Sequence, residues 1–345
     1  MWLKNCWYVI SWEHEIAPGA LFTRTVLNQP IVVFRPFKGG LAALEDRCCH
    51  RHAPLSKGRL EADGLRCGYH GLKFDGTGQC VEAPGMDSPP PQARVRSYPL
   101  RSHNDWIFVW MGDPEKADDA MLPDNFSNQH PDWQNRPGYL HYDTPYLLIC
   151  DNLLDFSHLS YVHEKTLGGS TAIALARPQI ALVDKPGQRG IHVKRQVRNV
   201  PAPPFYQRYR PYMTNLDRWF DYEFLLPGTL LMHSGGRPVG ETTMDNAVQL
   251  HSCQTLTPET ETSTHYFFQQ SHRHGFGDGS VTDSIYNSLI TAFNEDRDMI
   301  TAQQRNLLLD PSAPMLPLHF DAALMRFRKL LADEKRVEDA AQKEP

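Results

Sequence analysis

No stretch of this chain stays apolar for long. The longest runs, such as Tyr146 to Cys150, fall far short of the ~20 residues that span a bilayer. A strong basic field is also missing. Thirty-five Lys and Arg stand against 40 Asp and Glu, a net charge of −5, which gives no electrostatic grip on nucleic acid or an anionic membrane. Cysteine is sparse and odd in number, seven in 345 residues, so the chain is not a disulfide scaffold. Thiols in a reducing compartment and metal ligation remain as uses for them. There is no internal repeat and no low-complexity block. With 41% apolar and 22% charged residues, the composition excludes disorder, collagen and coiled coil. The N-terminus meets Glu13-His14-Glu15 too soon for a signal peptide and shows no small-residue cleavage site, so a cytoplasmic protein is expected.

What the chain does have is histidine, 16 in all, some of it in ordered clusters. At roughly 150 residues per domain, the length predicts about two domains. Residues 1 to about 114 read as all-β. Ile31 to Phe34 and Leu41 to Leu44 are short apolar runs on either side of Gly39-Gly40, a hairpin signal; Gly76 and Gly78 mark another turn. Trp106 to Trp110 is a strand of β-branched and aromatic residues. Pro114, Pro123, Pro131 and Pro137 punctuate the next stretch, where the domain boundary is expected. Beyond it a helix is predicted over about Asp151 to Val162, then strands over about 178–200, 219–233, 246–257 and 263–271. A long helix from about Asp278 to Leu308 carries Ile285, Leu289, Phe293, Ile300 and Leu307 on one face. A last helix covers about Phe320 to Val337, with a charged end from Glu338 to Pro345 expected to fray.

The first constellation is Cys48-Cys49-His50 and, after sixteen residues, Cys67-Gly68-Tyr69-His70. Each pair sits in a short loop, so two loops can clasp one metal centre. Two thiolates and two imidazoles suit a tetrahedral zinc, or an iron–sulfur cluster with the cysteines on one iron and the histidines on the other. Neutral imidazoles raise the potential of such a cluster, which suits passing one electron at a time.

The second constellation runs from Asp151 to His163. His158 and His163 are five apart, about 140° around a regular helix at ~100° per residue, so the helix must bulge or break for them to share a metal. Asp155 is three residues from His158. Asp296 falls on the apolar stripe of the long helix with Leu289, Phe293 and Ile300, and a carboxylate there should be paired or metal-bound. Two histidines and a carboxylate form the facial triad of non-haem Fe(II) oxygenases, which leaves positions open for O2.

With their flanks, Arg51-His52-Ala53-Pro54-Leu55-Ser56 and Gly71-Leu72-Lys73-Phe74, the first four ligands resemble a Rieske [2Fe-2S] domain. That family's C-x-H-x15–17-C-x2-H pattern fits at Cys48, His50, Cys67 and His70. Its usual proline between Cys and His is here Cys49, read as a small buried hydrophobe. Cys80 reads as core rather than ligand. The N-x2-D-x2-H-x4-H pattern of Rieske non-haem iron oxygenases fits at Asn152, Asp155, His158 and His163, and that family's distant aspartate fits Asp296. The likeness spans nearly the whole chain. It is closest to the group of vanillate O-demethylase oxygenase subunits, which includes dicamba and toluenesulfonate methyl monooxygenases.

The resemblance implies an α+β chain. An all-β Rieske domain over 1–114 and a linker over 115–138 precede a helix-grip-like α+β catalytic domain over 139–345 with an antiparallel sheet. It implies a [2Fe-2S] cluster at Cys48, His50, Cys67 and His70, and a mononuclear Fe(II) at His158, His163 and Asp296. Asn152 and Asp155 would serve catalysis, Asp155 bridging His158 to His70 of a neighbouring chain in a head-to-tail homotrimer. An NAD(P)H-dependent ferredoxin-type reductase would supply electrons, and Arg47, Arg51, His52, Lys57, Arg59 and Arg66 could steer it. Strand alternation puts Val248, Leu250, Ser252 and Gln254 on one face and Ala247, Gln249, His251 and Cys253 on the other. Met232, Gln254 and His251 are the expected substrate-binding residues, with Arg218 and His233 as further partners for an acid group. The expected reaction is O-demethylation of a methoxylated aromatic acid with release of formaldehyde. Alternatives are hydroxylation of a methyl or ring carbon of an aromatic acid or sulfonate, a non-catalytic electron-transfer protein, and a zinc-binding interaction module.

Overall fold

The computed structural model describes residues 2–36, 40–273 and 279–341, with Arg208 as backbone only. The chain forms two compact units. One is Trp2–Asp118 with Thr257–Glu261; the other is Asp119–Leu256 with Thr262–Pro345.

The first unit is all strand and turn. Strand β1 (Trp7–Trp12) pairs antiparallel with β10 (Trp106–Trp110), which also takes β9 (Leu100–His103) on its other side. Every residue of β1 and β10 is buried, and the Trp7 and Trp110 rings meet edge to face at 5.2 Å. A second sheet is β2 (Leu21–Val26), β3 (Gln29–Phe34) and β4 (Ala42–Glu45). The expected hairpin of Ile31 to Phe34 with Leu41 to Leu44 forms one residue further on, Ile31 to Phe34 pairing with Glu45 to Ala42; Gly39 of its turn lies outside the described residues. The third sheet joins β5 (Arg59–Glu61), β6 (Gly64–Arg66), β7 (Lys73–Phe74) and β8 (Cys80–Glu82). Val32, Phe34, Leu44, Leu55, Leu65 and Phe74 form the core between these sheets, and Cys48, Cys67 and Cys80 are packed into it.

The second unit is built on an eight-stranded antiparallel sheet. Its strands are β11 (Trp133–Gln134), β12 (Gly138–Tyr142), β13 (Gln179–Lys185), β14 (Gln188–Val200), β15 (Leu216–Leu225), β16 (Thr229–Pro238), β17 (Val248–Thr260) and β18 (Ser263–Arg273). The order is β11-β18-β17-β16-β15-β14-β13, with β12 also on β18. Most of 115–138 is built into this unit rather than left free: it contributes β11 and buries Ser127 and Asn128. In the register Tyr222–Met232–Ser252, Phe220–Ser234–Leu250 and Leu230–Gln254 share one face; Asp221, His233 and His251 share the other.

Among the described residues the second unit's α-helices are α1 (Tyr146–Leu154), α2 (Thr171–Leu175), α3 (Pro204–Tyr209), α4 (Gly279–Leu309) and α5 (Ala322–Ala341). The stripe Ile285, Leu289, Phe293, Asp296 and Ile300 of α4 is buried, with Gln304 rather than Leu307 as its last buried member. The expected start of α4 at Asp278 lies outside the described residues. Two sequence expectations differ. The predicted helix over Asp151 to Val162 ends at Leu154, and Phe156–Ser160 is a separate 3-10 turn. Helix α5 does not fray at Glu338; it continues to Ala341, because Glu338 is buried and bonded to Lys335. Residues 342–345 lie outside the described chain. No described helix is long and apolar enough to cross a membrane.

Candidate metal centres and substrate cavity

The two Cys/His loops of the first unit are built alike. Cys48 N–H donates to Ala53 and Cys67 N–H to Leu72; His52 N–H returns to the Cys48 carbonyl, and Gly71 N–H to the Cys67 carbonyl. His52 and Gly71, fifth in each turn, both have positive φ, 56° and 78°. C-x-H and C-x2-H are therefore the third and fourth positions of one loop type. The flanks have physical jobs. Leu55 and Phe74 anchor the loops in the core, Ser56 donates through N and Oγ to Asp46 at 2.6 Å, and Asp75 accepts from the N–H groups of Thr77 and Gln79.

Cys48 and Cys67 are buried at the base, while the His50 and His70 rings are exposed, 4.6 Å apart. Burial pushes the Cys48 thiol up to about 11, with the neighbouring Cys67 adding to it. Two such buried thiols under paired imidazoles suit a cation that binds thiolate, since metal binding offsets the cost of ionising a buried sulfur. Cys49 is exposed, not the small buried hydrophobe expected, because the turn after the buried Cys48 carries residues 49–52 out to the surface. Cys80 is core, as expected. The expected basic rim is thinner than the sequence suggests. Arg47 pairs with Glu45, Arg59 with Glu61, and Arg66 with Glu61 and Glu82, while Arg51 and Lys57 make no ion pair among the described residues.

In the second unit, Asp155 ends α1 and caps the next turn. Its carboxylate accepts from Ser157 N–H at 2.9 Å and from Ser157 Oγ at 2.6 Å. The break resolves the 140° problem, since His158 leaves on the 3-10 turn and His163 on the loop beyond it. The carboxylate of Asp155 does not reach His158, as its three-residue spacing had suggested; the carbonyl does, accepting from His158 Nδ1. A carbonyl can only accept, so Nδ1 carries the proton and Nε2 a lone pair. At His163, Nδ1 donates to Glu295 Oε2 at 2.8 Å, which turns Nε2 towards Asp296.

Both Nε2 atoms face one carboxylate oxygen. Asp296 Oδ1 lies 3.5 Å from His158 Nε2 and 3.1 Å from His163 Nε2, and accepts from Asn152 Nδ2 at 3.0 Å. A metal cation among these atoms would take both imidazole nitrogens and the carboxylate at once. Ligands at right angles on a metal with bonds of about 2.1 Å, as for zinc, stand about 3 Å apart. His158, His163 and Asp296 thus offer two imidazoles and one carboxylate within 4.8 Å of one another, the donor set of a facial triad. Burial pushes the His158 pKa down. At His163 burial works the same way, but Asp296 and Glu295 together push it up.

The triad lies at the wall of a partly enclosed, mostly apolar cavity. Phe156, Phe205, Phe220, Leu289 and Phe293 give it apolar sides; Arg218, Ser234, Gln254 and Gln270 supply polar groups. Met232 and Gln254 line it, as expected. His251 does not. It projects from the opposite sheet face, stacked on His233 at 4.7 Å, because an odd offset from Gln254 reverses its side. His233 is excluded for the same reason. Sequence reasoning missed Glu295 and Gln270; adjacency of Glu295 to the stripe residue Asp296 was the available signal for the first, while Gln270 left none.

A one-electron cluster site on one unit and an O2-type iron triad beside a mostly apolar cavity on the other define the class: an oxygenase driven by an electron-transfer centre. Residues 6–99 match the Rieske [2Fe-2S] domain, and residues 142–334 match the vanillate O-demethylase oxygenase C-terminal domain. The chain is 41% identical over 336 residues, 96% of each chain, to the toluene-4-sulfonate monooxygenase system iron-sulfur subunit TsaM1 of Comamonas testosteroni. It is 32% identical to the oxygenase component of dicamba O-demethylase from Stenotrophomonas maltophilia, over 98% of this chain and 99% of that one. Dicamba monooxygenase bound to 3,6-dichlorosalicylic acid superposes with a TM-score of 0.88 at 31% identity, covering 98% of both chains. Another structure of that enzyme holds non-heme iron and dicamba. The chain belongs to the Rieske non-haem iron oxygenases, in the group of the vanillate, dicamba and toluenesulfonate oxygenase components. It is a terminal oxygenase component, an oxidoreductase whose cofactors are a Rieske [2Fe-2S] cluster and a mononuclear iron.

Proposed function

We propose that this oxygenase O-demethylates a methoxylated aromatic acid and releases formaldehyde. Cys48, His50, Cys67 and His70 hold the cluster; His158, His163 and Asp296 hold the mononuclear iron. The observation that carries the reading is the convergence of two oriented Nε2 atoms and one carboxylate at the wall of an apolar cavity with a polar side. The cluster supplies electrons singly, and the iron supplies the O2 chemistry.

The protein's own residues do the rest. Asn152 fixes Asp296, Glu295 fixes His163, and the Asp155 carbonyl fixes His158, so the donor set is pre-organised. The aromatic walls exclude water and hold the ring so that one methyl C–H faces the iron, a positioning task. Met232 and Gln254 bound the ring and its substituents. One oxygen atom enters the methoxy C–H and the other leaves as water, with two electrons and two protons consumed. The resulting hemiacetal collapses to a phenol and formaldehyde.

The electrons come from an NAD(P)H-dependent ferredoxin-type reductase, and Arg51 and Lys57 beside the cluster loops suit an acidic partner. In the homotrimer that the family resemblance implies, Asp155 joins the centres: its carbonyl holds His158, and its carboxylate turns from Ser157 to the neighbouring subunit's His70.

A second reading is hydroxylation of a ring methyl group of an aromatic sulfonate. It is favoured by the relative at 41% identity, whose name carries toluene-4-sulfonate. Both readings place a methyl C–H at the iron. Mass spectrometry of products from methoxybenzoates and methylbenzenesulfonates separates them. Formaldehyde with a phenol supports demethylation, a benzyl alcohol supports the second reading, and no oxidised product from either panel overturns both.

A further inference from the structure

Arg218, on the cavity face of β15, is 3% exposed. Among the described residues no carboxylate pairs with it. Nη1 donates to the Gly168 carbonyl at 3.1 Å, the neutral Tyr206 hydroxyl is a second polar contact, and Nε is buried without a partner among the described residues. The guanidinium also lies over the rings of Tyr206 at 5.2 Å and Phe220 at 5.3 Å. A buried cation is normally held by an anion, and this one lines the cavity without one. A backbone carbonyl and a neutral hydroxyl do not call for a full charge.

Two amides add to it. Gln254 Oε1 accepts from Tyr266 OH and Gln270 Oε1 from Ser252 Oγ, so the NH2 groups of both are the ends left for the cavity they line. The only acid on that lining is Asp296, already engaged at the triad. A cation and two amide donors among aromatic side chains match an aromatic ring bearing a planar or trigonal oxyanion.

We propose that Arg218 is the substrate-anion residue of this enzyme: it receives the carboxylate or sulfonate of an aromatic substrate, with Gln254 and Gln270 as co-donors, and so sets which end of the ring faces the iron. This rests on the oxygenase reading above for its orientation consequence, but not for the binding itself.

The test is calorimetric titration of the purified holoenzyme, before turnover. The probes are toluene-4-sulfonate and 4-methoxybenzoate, each beside its neutral counterpart, toluene-4-sulfonamide and 4-methoxybenzamide. Wild-type protein is expected to bind at least one anion about 10-fold or more tighter than its amide. Arg218→Gln should lose about 30-fold or more of that anion affinity, in line with removal of one partner from a buried charged pair, and leave amide binding within about 2-fold. Arg218→Lys should recover part of the loss. The ratio of sulfonate to carboxylate affinity identifies the oxyanion. Equal binding of acid and amide by wild type overturns the assignment, and this arm needs no variant to fold. Unchanged anion affinity in a folded Arg218→Gln protein overturns it as well. Anion binding that needs Arg218, followed by no oxidised product in a single turnover, leaves the assignment standing and overturns the demethylation reading. Raised KM with lowered product yield in Arg218→Gln supports the assignment; equal KM and yield overturn it and leave the demethylation reading intact.

Discussion

His163 donates its Nδ1–H to Oε2 of Glu295 across 2.8 Å, and Thr166 Oγ donates to the same oxygen. The contact fixes the ring's tautomer and aims Nε2 at Asp296, the next residue of the same helix. One helix turn therefore supplies both a proposed ligand and the group that orients another.

Glu295→Ala should weaken retention of the mononuclear iron about 10–100-fold, the range for loss of a ligand's hydrogen-bond partner. Glu295→Gln keeps an acceptor and should lose less. Iron content under chelator challenge, with Rieske visible absorption as internal control, measures both. Equal retention by wild type and Glu295→Ala would mean that the contact is idle.

Cys49→Ser should keep a full complement of cluster iron and sulfide, since Cys49 is exposed and stands outside the paired turn positions. Cys48→Ser should lose the cluster. Loss of the cluster in the Cys49 variant would reassign the ligand.

Asp155→Asn keeps an acceptor for Ser157 N–H and the carbonyl for His158. Both metals should remain at wild-type content, while cluster reoxidation during turnover slows about 10–100-fold. Stopped-flow absorbance reads this, and an unchanged rate would remove Asp155 from the electron path.

The His251 pair should show in acid stability. Burial among Phe126, Trp133 and His233, and then the His233 charge, pull the His251 pKa from 6.5 down to about 4. A depressed pKa means that the folded state favours the neutral ring. Its contribution is complete above pH 6.5 and is lost as pH falls from there to about 4. His251→Phe keeps the ring stacking without the proton, so Tm should fall less steeply across that window. Parallel Tm–pH curves would show that the pair does not titrate as described.

The proposed metal ligands stand out in sequence because C-x-H, C-x2-H and H-x4-H spacings depend on local turns, and local turns follow from nearby residues. The break between Leu154 and Phe156 was foreseen only as a need; its cause, Asp155 capping Ser157, is a short-range bond that a helical reading of 151–162 overrode. The α4 stripe located Asp296 because a lone carboxylate on an apolar face demands a reason. His251 was misplaced although parity with Gln254 already put it across the sheet. Gln270 and the bare charge of Arg218 become visible only when β15, β17 and β18 are brought side by side. The thin basic rim has the same origin: Arg66 looks free in sequence and is spent on Glu61 and Glu82 across β5, β6 and β8.

The most direct measurement is a single turnover of chemically reduced protein, without reductase, given O2 and a bound methoxybenzoate. Wild type should reoxidise its cluster and yield about one phenol and one formaldehyde per active site. Asp296→Ala should keep the Rieske spectrum and form no product. Normal turnover by Asp296→Ala would contradict the triad, and with it the proposed mechanism.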